Sequence, residues 1–156
     1  YQMAVDIHHI LRNNEVLYWM IGGTFLGAIR HKGLIPWDDD IDFGVLSSQI
    51  RYIKSINWKK YGFYLVPVWF GFKVCLRKNR RKPIPGHKWS YPFVDLFTHK
   101  KEDGRLVFSR KHARDTWPKE YFSLGKNGTL DLKLYPFGSV SLWGFANKKK
   151  QRNIFH

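Results

Sequence analysis

The chain has one cysteine, Cys75, among its 156 residues. An internal disulfide is therefore excluded, as is a structural zinc site built on several thiolates, and the expected role of Cys75 is a buried thiol. Nowhere does an apolar run reach the 18 residues that a membrane-spanning helix requires. Acidic residues are scarce as well: Asp and Glu total 12 against 27 Lys and Arg, a formal charge of +15 at pH 7. That imbalance suits an anionic partner, whether nucleic acid, an anionic membrane surface or a phosphate-bearing substrate, and does not choose among them. The chain opens on Tyr1 rather than methionine, which reads as part of a longer polypeptide, so the sequence leaves the compartment unknown, with cytoplasm and Golgi lumen both open. Asn127-Gly128-Thr129 is formally a glycosylation sequon and equally a plain turn.

What the chain does have is an aromatic content of 17% with seven Trp, which points to a packed domain rather than a basic tail. The length fits one domain, expected over residues 1–146, with the stretch 147–156 read as a frayed basic tail.

Met3, Ile7, Ile10 and Leu11 recur at helical spacing, predicting a helix over Gln2–Arg12 with His8 and His9 on its surface. Val16–Ile21 reads as a strand broken by Gly22 and Gly23. Thr24 is expected to cap a short helix through Ile29 that Gly33 helps to end. Beyond Pro36, Asp38, Asp40 and Asp42 alternate with Asp39, Ile41 and Phe43, predicting a strand with one acidic face. Four of the chain's 12 acids thus fall within five residues. A helix from Ser47 or Ser48 to Tyr61 follows, then strands over Phe63–Phe70, Phe72–Arg77 and Phe93–Phe97. Leu106–Phe108 is expected to pair antiparallel across an Asp103-Gly104 turn. The basic stretch from Lys78 to Tyr91 reads as a surface loop.

The chemistry follows from juxtaposition. Gly22 and Gly23 let the backbone approach a ligand, and a helix starting at Thr24 offers N–H groups to an anion. Carboxylates about 7 Å apart along a strand repel unless a cation neutralises them. Mg²⁺, or Mn²⁺ in its place, suits the purpose, because it binds one or two carboxylates together with phosphate oxygens and water. Asp95 sits in the apolar strand FVDLF, where an ionised group is costly unless paired or metal-bound. It either completes the metal site, or holds and deprotonates an attacking hydroxyl, or faces water on an edge strand. Arg30, His31 and Lys32 end the short helix and read either as phosphate ligands or as ordinary helix C-terminal cations. Lys73 and Arg77 alternate with apolar neighbours and point either at a diphosphate or at solvent.

The run GGTFLGAIRHKGLIPWDDDID closely resembles the LicD family of phosphocholine transferases and fukutin-type enzymes, and the likeness extends more weakly to the first helix and to FVDLF. The resemblance implies an α+β fold, a nucleotidyltransferase-like mixed β-sheet flanked by helices. It also implies Gly22 and Gly23 as the substrate turn, Asp40 and Asp42 as the metal pair, Asp95 as the third carboxylate, and Asp38 and Asp39 supporting them from behind. The implied reaction moves a phospho-alcohol, such as phosphocholine or ribitol phosphate, from a CDP-linked donor to a hydroxyl of a glycan or glycopolymer, as in cell-surface polysaccharide modification, and releases CMP. Two other readings stand beside it: a nucleotidyltransferase attacking the α-phosphate of a nucleoside triphosphate, and a non-catalytic basic module on nucleic acid, the partner least expected.

Overall fold

The computed structural model describes residues 1–38, 40–77 and 82–146. Helix α1 spans Gln2–Asn13 and buries Ala4, Ile7, His8 and Leu11, one stripe at helical spacing. His8 lies inside rather than on the surface, its ring hydrogen-bonded to the Tyr18 hydroxyl. Strand β1 (Tyr18–Met20) leads into α2 (Gly22–His31), and β2 (Ile41–Leu46) returns beside β1. Residues 47–61 form not one helix but three pieces: a 3-10 turn at Ser47–Gln49, α3 (Ile50–Ser55), and a second 3-10 turn at Trp58–Tyr61 closed by Gly62 in the left-handed region.

A hairpin follows, β3 (Phe63–Val68) and β4 (Gly71–Leu76), and a two-residue ribbon of β5 (Lys82–Pro83) with β6 (Ser90–Tyr91) replaces part of the expected basic loop. Residues 78–81 lie outside the described residues, as do Asp39 and the expected tail over 147–156. Strand β7 (Phe93–Glu102) is twice its expected length, because its far half pairs with β8 (Arg105–Phe108) across the Asp103-Gly104 turn. Then come α4 (Lys111–Thr116), β9 (Tyr121–Ser123), and the hairpin β10 (Leu132–Phe137) and β11 (Val140–Phe145).

The main sheet runs β1-β2-β7-β4-β3, with β8 and β9 extending from the far half of β7. Among the described residues only β2 and β7 pair parallel, so the sheet is mixed, as expected of this fold class. On one face Phe43, Val45, Phe72, Val74, Val94 and Leu96 meet Ile7, Leu11, Phe25 and Ile53 from the helices in one core. The other face carries a second core of Trp19, Ile21, Phe70, Phe97, Phe108 and Phe122 under β8, β9 and α4. Strand alternation separates the two sets: Tyr18 and Met20 join the first core, Trp19 and Ile21 the second.

Candidate active site

Register places three polar side chains in one row. Asp42 on β2 pairs with Asp95 on β7, and Asp95 with Lys73 on β4, so all three project from the face that carries the second core. Lys73 Nζ donates to Asp95 Oδ1 at 2.8 Å, with the two side chains only 11% and 14% exposed. The ammonium also lies 3.7 Å from the centre of the Phe93 ring and 5.3 Å from that of Trp89. Because β7 is an interior strand, the edge-strand reading of Asp95 falls away.

The expected acidic strand is corrected. Asp38 and Asp40 precede β2, which begins only at Ile41, so of the described aspartates in the cluster Asp42 alone is a strand residue. The Asp40 N–H donates to Asp38 Oδ1 at 3.1 Å, a side-chain bond in place of a ladder bond. Aspartate is disfavoured in strands, and its side chain competes for nearby backbone N–H groups.

Thr24 also has another part. Helix α2 starts at Gly22 with Ile21 as its N-cap, and no side chain caps it. The Thr24 hydroxyl accepts from the Asp42 N–H at 2.8 Å and donates to the Asp40 carbonyl at 3.4 Å, which ties the helix to the acidic segment. The two glycines answer different needs. Gly22 has φ +52, a conformation that other residues adopt only under strain, whereas a Cβ on Gly23 would lie 2.7 Å from Asp38 Oδ2. The first N–H groups of α2 have no carbonyl partner within their own helix, and they open beside Asp42.

Burial raises the Asp42 carboxyl to about 7, with the charges of Asp95, Asp40 and Asp38 adding to it and Lys73 opposing. Asp95 is raised too, chiefly by burial, and its bond to Lys73 works against the rise. Among the described residues no three His, Cys, Asp or Glu side chains form a ready metal cage. Asp42 and Asp95 offer a pair of oxygen donors, with Asp40 near enough to bias both, and this fits a cation that completes its shell with substrate oxygens and water.

Arg30, His31 and Lys32 are not brought to this row. They are exposed at the opposite end of α2, and Lys32 itself, not Gly33, terminates the helix at φ +54. A cavity of about 180 Å³ is lined instead by Asp42, Ile21 and Gly22 together with Phe97, Phe108, Trp117 and Glu120. Glu120 was not legible beforehand, since it stands alone in a stretch without periodicity. Lys73 carried a weak signal, a lysine between two apolar strand residues.

The family model described as "LicD/FKTN/FKRP, nucleotidyltransferase domain" matches residues 15–147. The chain is 30% identical to the Rickettsia prowazekii protein RP689 over 92% of its own length and 48% of that protein, so it spans about half of that relative. It is 57% identical to the lipopolysaccharide cholinephosphotransferase LicD of Haemophilus influenzae over 35 residues, 22% of the chain and 13% of that protein. It is 50% identical to the human ribitol 5-phosphate transferase FKRP over 53 residues, 34% of the chain and 11% of that protein. A crystal structure of ANT(2")-Ia with adenylyl-2"-tobramycin aligns with 69% of the chain and 54% of its own, at 15% identity and a TM-score of 0.46. The chain belongs to the LicD/FKTN/FKRP family and carries its nucleotidyltransferase domain.

Proposed function

We propose that this chain is a Mg²⁺-dependent phosphotransferase that moves a phospho-alcohol, of the phosphocholine or ribitol-phosphate type, from a CDP-linked donor to a hydroxyl of a glycan or glycopolymer, releasing CMP. Residues 1–146 would act as its catalytic unit. The observation that carries the reading is the row Asp42–Asp95–Lys73 set beside the N-terminus of α2. A buried carboxylate pair next to a set of free helical N–H groups is a place for a cation and a phosphate together. The named transferases in the family support the same class of chemistry.

In the proposed reaction the acceptor oxygen attacks the phosphorus that bears the alcohol. A new P–O bond forms, and the bond from that phosphorus to the bridging oxygen breaks, with CMP carrying away the electron pair. Asp95 takes the proton of the attacking hydroxyl, or holds that hydroxyl in line, and the 2.8 Å bond from Lys73 fixes its carboxylate toward Asp42. Asp42 would hold Mg²⁺, with Asp95 or Asp40 as its second carboxylate; when bound, the ion would neutralise charge on the leaving group. Gly22, Gly23 and Thr24 hold the donor's phosphates on the α2 N-terminus. The charge of +15 suits an anionic acceptor polymer or membrane surface.

The test supplies CDP-choline, CDP-ribitol or nucleoside triphosphates, with and without Mg²⁺, to the chain and to Asp42→Asn, and identifies the released nucleotide. CMP released only with Mg²⁺ and only by the parent chain is the expected result. Pyrophosphate release would move the reading to nucleotidyl transfer. Turnover untouched in Asp42→Asn would sink both.

A further inference from the structure

The cavity beside Asp42 has a composition that the transfer reaction alone does not explain. It is lined by the aromatic residues Phe97, Phe108 and Trp117, and its charged side chains are two carboxyls, Asp42 and Glu120. The side chain of Glu120 has no hydrogen-bond or ion-pair partner among the described residues, although the chain carries 27 Lys and Arg. The backbone ties Glu120 to Trp117, since the Glu120 N–H donates to the Trp117 carbonyl at 3.2 Å and both residues line the cavity. Trp117 is in turn held by Ala113, whose carbonyl accepts its N–H at 2.9 Å, and it packs edge-on to Phe97 at 5.9 Å.

We propose that this cavity is the subsite for the alcohol portion of the donor, and that Glu120 with the Trp117, Phe97 and Phe108 rings selects an alcohol bearing an ammonium group over a neutral polyol. The inference rests on the transferase reading and chooses between the two alcohol types that reading leaves open. Aromatic faces attract a cation through their quadrupoles, and the attraction grows when water is excluded. A carboxylate in the same cavity then completes the neutralisation. A polyol makes the opposite demand, because each hydroxyl drawn away from water needs a hydrogen-bond partner, and a lining dominated by three rings leaves most of its hydroxyls without one even with Glu120 present. Burial raises the Glu120 carboxyl to about 7, a shift that an ammonium bound beside it would oppose by favouring the carboxylate.

Tetramethylammonium, which has no phosphate, isolates the cation subsite. Ligand-observed NMR on the 156-residue chain should show it binding, displaced by phosphocholine and not by ribitol 5-phosphate. Glu120→Gln keeps the shape and removes the charge, and it should weaken tetramethylammonium and phosphocholine about tenfold while leaving ribitol 5-phosphate unchanged. Glu120→Asp keeps the charge and should restore part of the loss, which guards against a mere packing defect. Should tetramethylammonium binding depend on Glu120 while no CDP-linked donor is turned over, the subsite stands and the transferase reading falls. Should CMP release proceed equally from CDP-ribitol and CDP-choline, with Glu120→Gln altering neither, the subsite falls and the transferase reading stands.

Discussion

Two adjacent rungs of the same sheet differ in everything except backbone. One rung is Phe43, Leu96 and Phe72; the next, a residue earlier on β2 and β7, is Asp42, Asp95 and Lys73. The first is wholly buried in the core under the helices, and the second sits at the margin of the aromatic core on the opposite face. A strand pleat therefore places stability and chemistry back to back, less than a side chain apart. The apolar rung gains from every atom it buries, whereas the polar rung crowds two carboxylates at a cost that Lys73 offsets only in part.

That contrast is broken most sharply by Asp42→Asn. The substitution removes a buried charge from a crowded row, so the melting temperature measured without divalent metal should rise by a few degrees, and turnover measured with Mg²⁺ should fall by about 10³-fold. A fall in both would mean that the polar rung supports the fold after all. Leu96→Ala, one residue from Asp95 but on the other face, should do the reverse. It is expected to cost about 3–4 kcal/mol of stability by denaturant titration, with far less change in turnover per folded molecule. Equal damage to turnover would show that the faces are not separable.

A buried histidine tests the second core by pH. His99 is fully enclosed beside Trp19 and Phe108, with Nδ1 bonded to the Phe97 carbonyl, and burial lowers it to about 4. In the unfolded chain the ordinary value is 6.5, so between those limits the unfolded state binds more protons. The contribution of His99 should be whole above pH 6.5 and fall by up to about 3 kcal/mol as the pH drops toward 4, while the raised Asp42 and Glu120 carboxyls contribute the opposite trend over the same window. His99→Leu isolates the histidine: its stability relative to the parent should rise as the pH drops from 6.5 toward 4, and a difference that does not vary with pH would overturn the assignment.

Lys73 links the two rungs' strands, and its loss should be smaller. Lys73→Met leaves Asp95 without its charge-assisted bond, and turnover should fall about 10- to 30-fold. Lys73→Arg should recover part of it. If Lys73→Met matched Asp42→Asn in severity, Lys73 would have to touch substrate itself.

The elements were legible because strand and helix periods differ, whereas the fold class and the part of Asp42 came through the resemblance carried by GGTFLGAIRHKGLIPWDDDID. Asp95 was legible from the residues themselves as well, being a charge inside an apolar strand. The alternation that suggested Asp38 and Asp40 on the strand failed, because a period of two does not distinguish a pleat from irregular backbone in a run of aspartates. Lys73 could not be assigned, since its partner is 22 residues away and only the β4–β7 register brings them together. Trp117 and Glu120 lie in a segment without periodicity, and what makes them neighbours of Asp42 is the long return of β7 into β8 and α4.

The smallest effect belongs to the cations that stood next to the acidic run in sequence. Helix α2 separates Arg30, His31 and Lys32 from Gly22 by about 13 Å, longer than the screening length of about 8 Å at physiological salt. Their side chains are exposed, so water and counter-ions further weaken whatever reaches the donor. Arg30→Ala combined with His31→Ala should change KM for the CDP-linked donor by less than about threefold at 0.15 M salt and stability by less than about 0.5 kcal/mol. Lys32→Gly should be neutral or slightly stabilising, because glycine accepts the φ of +54 that lysine adopts there at some cost. A rise in KM above about tenfold in the double variant, undiminished by salt, would mean that the far end of α2 meets the substrate, and the polar rung would no longer account for donor binding alone.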